Sequence, residues 1–259
     1  MRTTFNEDAE RYNRARPQYP VQMFDDLAAA VAPAGARVLE IGCGTGQATV
    51  ALAERGYRIV AVELGPDMAT VARRNLARFD SVEVVTAAFE DWPLPDEPFD
   101  LVFSATAFHW VDPTVRVSKS AEALRSGGLL ATVGTHHIAG GSEAFFVASQ
   151  DCYERFDPAT PPGLRQQSAS EIPEDDRELT SSGAFGAARF HRYEWELAYS
   201  TAEYLDLLLT YSGHRALPAA QRNGLLTCIA GLIDGNHGGR VVKRYLTELR
   251  LAQRLRMSR

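Results

Sequence analysis

A chain of 259 residues, 45% hydrophobic and 23% charged, is long enough for one α/β domain with an elaboration around a sizeable core. Its formal net charge of −6 argues against a large nonspecific nucleic-acid surface, so no nucleic-acid partner is expected. No run of 18 apolar residues occurs and MRTTFNEDAERY has no signal-peptide core, which points to a cytoplasmic protein with no membrane partner.

In chain order, RYNRARPQYP comes first and reads as a terminal helix, carrying Tyr12, Arg16 and Tyr19. RVLEIGCGTGQATVALAERG follows: Val38, Leu39 and Ile41 form a buried strand, Gly42, Gly44 and Gly46 a tight turn, and Ala48 to Ala53 a helix stopped at Gly56. A dinucleotide fingerprint needs its third glycine at position 47, where Gln47 stands, so the spacing disfavours NAD. A ligand-free glycine turn remains the alternative. The next strand, in YRIVAVELGPDM, ends on Glu63 about 20 residues beyond the turn, where a doubly wound fold sets an acid against a ribose. Turn and acid together favour an adenosine-containing ligand.

Strands are expected at 36–42, 57–63, 82–86, 99–104 and 128–135, with helices near 46–55, 66–78 and 114–125. This alternation predicts a parallel sheet covered on both faces, binding its ligand at the carboxyl ends of the strands. The alternation breaks at 140–186, where EAFFVASQDCYERF has helical spacing and a polar loop follows; this insertion reads as a pocket-closing cap or a surface loop. Residues 189–199 and 240–252 alternate as strands, the second with Val241, Lys243, Tyr245, Thr247, Leu249 and Leu251 on one face. Between them TAEYLDLLLTYS and AAQRNGLLTCIAGLI read as helices, with Tyr204, Leu208 and Tyr211 along one face of the first and His214 and Arg215 beyond its end. The Arg-rich VVKRYLTELRLAQRLRMSR reads as an outer strand with a solvated face and a short tail. Cys43, Cys152 and Cys228 are odd in number and lack metal-ligand spacing, so they are expected to be reduced packing residues. His136 and His137 are adjacent in a strand and point to opposite faces, poor geometry for chelation, and no metal is expected.

LEIGCGTGQAT, VAVELGPDM, AAFEDWPLPDEPFDLVFSATAFHWVDP and LRSGGLLATVG, in that order, resemble a class I S-adenosylmethionine (SAM)-dependent methyltransferase over residues 5 to 136. SATAFHWVD and AERYNRARPQYP are most similar to the branch holding trans-aconitate methyltransferases and related small-molecule enzymes. The resemblance implies a doubly wound, mostly parallel seven-stranded Rossmann-like sheet whose last strand is antiparallel, with an inserted helical cap. Domains then follow as 1–139, the SAM-binding core with an N-terminal lid arm; 140–188, the cap insertion; and 189–259, the last two strands with inserted cap helices.

For the site, the resemblance implies that Glu40 and the Gly42–Gly46 backbone hold the methionine end of SAM, Glu63 the ribose hydroxyls, and Leu64 and Met68 part of the adenosine wall. Many relatives have Asp where Ala88 stands; Phe89 is the ring neighbour, and Glu90 or a backbone group replaces the missing acceptor. Ser104 and Ala105 end the fourth strand beside the cofactor. Phe108, His109 and Trp110 form the rim, with His109 as a base or positioning residue or an ordinary packing residue. Tyr12, Arg16, Tyr19, Trp110, Tyr204, Tyr211, His214 and Arg215 are expected around the acceptor, Arg215 as the anchor for an anion. The expected reaction is O-methylation of a small organic carboxylate by a monomer or homodimer. O-, N- or C-methylation of a specialised metabolite with His109 as base, and a SAM-binding module without methyl transfer, are the alternatives.

Overall fold

The computed structural model describes residues 4–31 and 34–256, so the tail beyond residue 256 lies outside the described residues. Asp8 opens α1 (Ala9–Ala15) by accepting a hydrogen bond from Arg11 N at 3.1 Å, and α2 (Val21–Ala30) follows after Pro20. The alternating region then runs β1 (Arg37–Ile41), α3 (Gln47–Glu54), β2 (Arg58–Glu63), α4 (Pro66–Leu76), β3 (Val82–Thr86), β4 (Phe99–Ala105), α5 (Arg116–Ala123) and β5 (Leu124–Ile138). Beyond it come α6 (Glu143–Phe156), α7 (Arg177–Thr180), β6 (Arg189–Ser200), α8 (Thr201–Leu208), α9 (Ser212–Ala216), α10 (Ala219–Asn236) and β7 (Arg240–Gln253).

The seven strands form one mixed sheet in the order β3-β2-β1-β4-β5-β7-β6, with β1 parallel to β2 and β4, β2 parallel to β3, and β4 parallel to β5. This is the expected α/β, Rossmann-like sheet. Successive residues of a strand face opposite sides, and β1 shows the result: Val38 belongs to one apolar cluster with Ala61, Leu101 and Phe103, while Leu39 and Ile41 belong to another with Val62, Val102 and Leu130. Strand order reverses between β1 and β4, the place where open α/β sheets bind ligands beyond the strand ends.

Two compact units divide the chain. One comprises residues up to Arg16, His136–Pro173 and Glu194–Leu246; the other comprises Pro17–Thr135, Glu174–Tyr193 and the chain from Thr247 onward. For brevity they are the aromatic unit and the sheet-core unit. Residues up to Arg16 cluster with 136–173 and 194–246 in the aromatic unit. The reason is packing: Arg11 Nε lies 3.1 Å from Asp206 Oδ1 and Arg16 Nη2 donates to Thr210 O at 3.1 Å. Strands β5, β6 and β7 each contribute residues to both units.

Two sequence expectations need correction. Cys152 and Cys228 form a disulfide, with Cα atoms 5.8 Å apart, joining α6 to α10; Cys43 alone is free, and it is buried. The two lie 76 residues apart, and connectivity over such a separation is not encoded in spacing. The helix expected over 201–212 ends at Leu208, because Leu209 and Thr210 close a turn in which Thr210 Oγ1 donates to Leu207 O at 2.6 Å. Tyr211 therefore leaves the Tyr204 face and becomes the N-cap residue of α9, which itself contains His214 and Arg215. The core of the aromatic unit joins Phe145 and Cys152 of α6 to Tyr204, Leu207, Leu225, Ile229, Ile233, Val241 and Tyr245.

Candidate active site

In the sheet-core unit, β1 delivers the chain into a turn whose three glycines are left-handed. Gly42, Gly44 and Gly46 have φ of +70°, +61° and +92°, and a Cβ on Gly42 would stand 2.5 Å from Ala107 Cβ. Gly42 N donates to Val62 O at 2.8 Å, which ties the turn to β2, and Asn75 Nδ2 of α4 donates to Thr45 O at 2.8 Å. Gly46 caps α3 without any side-chain hydrogen bond to its first turn.

Glu63 braces the same turn from the end of β2. Its Oε2 accepts from Gly44 N at 2.9 Å and its Oε1 from Gly65 N at 2.8 Å. Burial raises its pKa, opposed by the bonds from Gly65, Gly44 and Leu64. A carboxylate has about four lone-pair sites, so these bonds leave acceptor capacity. Glu40 is 1% exposed, and burial, opposed by a hydrogen bond from Thr49 and reinforced by the charge of Glu63, raises its pKa to about 7. Glu40 Oε2, Thr45 Oγ1 and Gln47 Nε2 are buried without a hydrogen-bond partner, unmet polar capacity beside a glycine cradle. Both features fit a ligand with a charged amino-acid end.

The remaining positions around this turn are apolar or rigid. Met68 and Phe89 are buried, Leu64 is half-buried, and the Ala88 carbonyl accepts from Asp91 N and Trp92 N. Glu90 Oε1 accepts from Asp112 N at 3.0 Å, which commits it to the following loop. At the end of β4, Ser104 Oγ donates to Ile41 O at 2.9 Å and Ala105 is buried. Thr106, just beyond β4, has φ of +53°, a left-handed conformation costly for a β-branched residue, and its Oγ1 is 3.0 Å from Tyr19 Oη. His109 is exposed in the 3-10 turn Phe108–Trp110, its ring 4.9 Å from that of Trp110; partial desolvation and then Arg116 lower its pKa.

The aromatic unit holds the other expected acceptor residues. Arg16 lies over the rings of Tyr12 and Tyr211, at 5.0 and 4.6 Å. Tyr211 Oη is 3.0 Å from His137 Nε2, and His214 Nε2 is 3.0 Å from Tyr153 Oη. Tyr204 is a buried core residue against Phe145 and Tyr199. Arg215 Nη2 is 2.7 Å from Glu7 Oε2, while its Nε is buried without a partner. Sequence reasoning overlooked Lys243, which is 3% exposed. The signal was available: a lysine on the apolar face of an alternating strand. Among the described residues, no group of three His, Cys, Asp or Glu side chains gathers as metal ligands.

A sheet whose strand order reverses beside β1, a left-handed glycine turn and an acid at the end of β2 are the features expected of a Rossmann-like methyltransferase domain. Residues 39–132 match the family described as a methyltransferase domain. An uncharacterized methyltransferase of Mycobacterium tuberculosis is 41% identical over 133 residues, covering 51% of this chain and 52% of that protein. Malonyl-[acyl-carrier protein] O-methyltransferase of Acetivibrio thermocellus is 28% identical over 196 residues, covering 73% and 69% respectively. A solved structure described as a type II methyltransferase from Anaeromyxobacter dehalogenans aligns with a TM-score of 0.64 at 25% identity, over 93% of this chain and 98% of that one. The chain spans about half the length of the first of these relatives. No helix among the described residues is long and apolar enough to cross a membrane.

Proposed function

We propose that this protein binds SAM and transfers its methyl group to a small molecule, with a carboxylate oxygen of an organic acid as the acceptor atom. The observation that carries the cofactor reading is the glycine turn with its unmet polar atoms and the bracing carboxylate of Glu63. Glu40 and the Gly42–Gly46 backbone would hold the amino-acid end of SAM, Glu63 the ribose, and Leu64, Met68 and Phe89 the adenosine. Bound SAM supplies a methyl already activated on a sulfonium, so the chain's task is to hold an acceptor aligned and to exclude water. A carboxylate is ionised at neutral pH and needs no base. The carboxylate reading is supported by the similarity to a malonyl-[acyl-carrier protein] O-methyltransferase.

One observation favours a second reading, methylation of a hydroxyl or nitrogen. His109 is exposed beside Trp110 with its pKa lowered, so it is neutral at pH 7 and able to accept a proton. The test is to incubate the protein with methyl-labelled SAM and a metabolite extract and identify labelled products by mass spectrometry. A labelled methyl ester supports the first reading, and a labelled ether or amine the second. In the second case His109→Gln should lower kcat while acceptor KM holds. SAM binding by calorimetry with no labelled product would leave a binding module.

A further inference from the structure

Burying an ammonium without a counter-charge costs several kcal/mol, and Lys243 is buried in that way. Its Nζ is 3.4 Å from Tyr211 Oη and 5.3, 5.6 and 5.7 Å from the ring centroids of Tyr211, Tyr245 and Tyr204. No carboxylate pairs with it among the described residues. A second cation leans on the same ring: Arg16 Cζ is 4.6 Å from the Tyr211 centroid, and its Nε is buried with no partner. The acidic residues of the neighbouring elements are engaged elsewhere, Glu7 with Arg215, Asp206 with Arg11, and Asp157 Oδ1 with Ala159 N.

Aromatic faces stabilise a cation but accept none of its N–H bonds with the strength of an oxyanion. The cluster thus has two positive groups, an unmet donor and the Tyr211 hydroxyl, and it lacks negative charge. His137, exposed and bonded to Tyr211, is its solvent-side member. We infer that Lys243 and Arg16, gathered on the Tyr211 ring, form a binding site for an oxyanion, carboxylate or phosphate, carried by the small-molecule acceptor. Lys243 and Arg16 thereby take the anchoring role that the sequence suggested for Arg215. Burial, and next the charge of Arg16, draw the Lys243 pKa down to about 7, so an anion bound beside it would favour the ammonium form. That the ligand is a methyl acceptor rests on the function proposed above; that an anion binds here does not.

The test is calorimetric titration with succinate, inorganic phosphate and neutral succinamide at constant ionic strength, on the unaltered protein and on Lys243→Gln and Arg16→Gln. SAM affinity and thermal melting are measured on each. Saturable binding of succinate or phosphate is expected, none of succinamide, and a tenfold or greater loss in each variant while SAM affinity stays within twofold. The preferred anion identifies the group as carboxylate or phosphate. Equal anion affinity in the variants, or no saturable binding of either anion, overturns the site. If Lys243→Gln fails to fold, Arg16→Gln decides by the same criteria. Anion binding that needs both cations, in a protein that does not bind SAM, would uphold this site and overturn the methyltransferase reading.

Discussion

Glu40, buried, and Glu63, half-buried, are both carboxylates near the glycine turn, but their surroundings assign them different behaviour. Glu63 is satisfied by backbone N–H groups, so Glu63→Ala should release the turn as well as the ribose contact; SAM affinity measured by calorimetry is expected to fall about tenfold or more. Glu40 has an oxygen without a partner, and its folded pKa of about 7 lies above the ordinary 4.5. Such an acid binds more protons folded than unfolded. Its contribution is therefore fully present below pH 4.5 and is lost as pH rises to about 7. In the ligand-free protein, Glu40→Gln should raise Tm at pH 8 by about 2–4 °C, the shift of roughly 1 kcal/mol in a domain of this size. The gain should vanish at pH 4. SAM affinity of the unaltered protein should rise with pH through about 7 and lose that dependence in Glu40→Gln, which is expected to bind about tenfold more weakly. A flat pH profile in the unaltered protein would separate Glu40 from the ammonium. Gly42→Ala adds a single methyl at φ +70° against Ala107, and loss of SAM binding in a soluble protein is the expected result.

Among the elements, α6 and α10 show how close packing and covalent linkage coincide. A Cβ on Gly224 would collide with the Phe156 ring, and Cys228, one helical turn further along α10, is bonded to Cys152 of α6. Gly224→Ala should therefore destabilise by about 1–3 kcal/mol, read as a lowered denaturation midpoint, despite alanine's better helix propensity. Replacing both cysteines by alanine removes a link across 76 residues, for which the chain-entropy model predicts a loss of about 4.5 kcal/mol. An unchanged midpoint under reducing conditions would dismiss that linkage. Elements of this kind were only partly legible in the sequence. The strands of the parallel region could be read because apolar runs and glycine turns are local signals. The disulfide, the break after Leu208 and the pairing of Arg215 with Glu7 could not, because each depends on partners distant in sequence or on a turn hydrogen bond that competes with the helix. The cofactor turn is legible for the same reason as the strands, whereas the anion cluster joins residues 16, 137, 211 and 243.

For the whole molecule, the important feature is that β7 gives Arg240–Leu246 to the aromatic unit and Thr247–Gln253 to the sheet-core unit. A ribosome delivers the chain from the N-terminus, so all other strands emerge before this one. Neither unit can close its apolar core until β7 is available, because Val241 and Tyr245 fill one core and Leu249 and Leu251 fill another. Residues 17–135, which carry the whole glycine turn and most of the sheet, must wait as an incomplete layer with exposed strand edges, a state prone to aggregation. Stopping translation after residue 239 should leave a product that is protease-sensitive and binds no SAM, whereas release of the next fifteen residues should confer protection on each unit. Each unit thus receives core residues only when β7 is released.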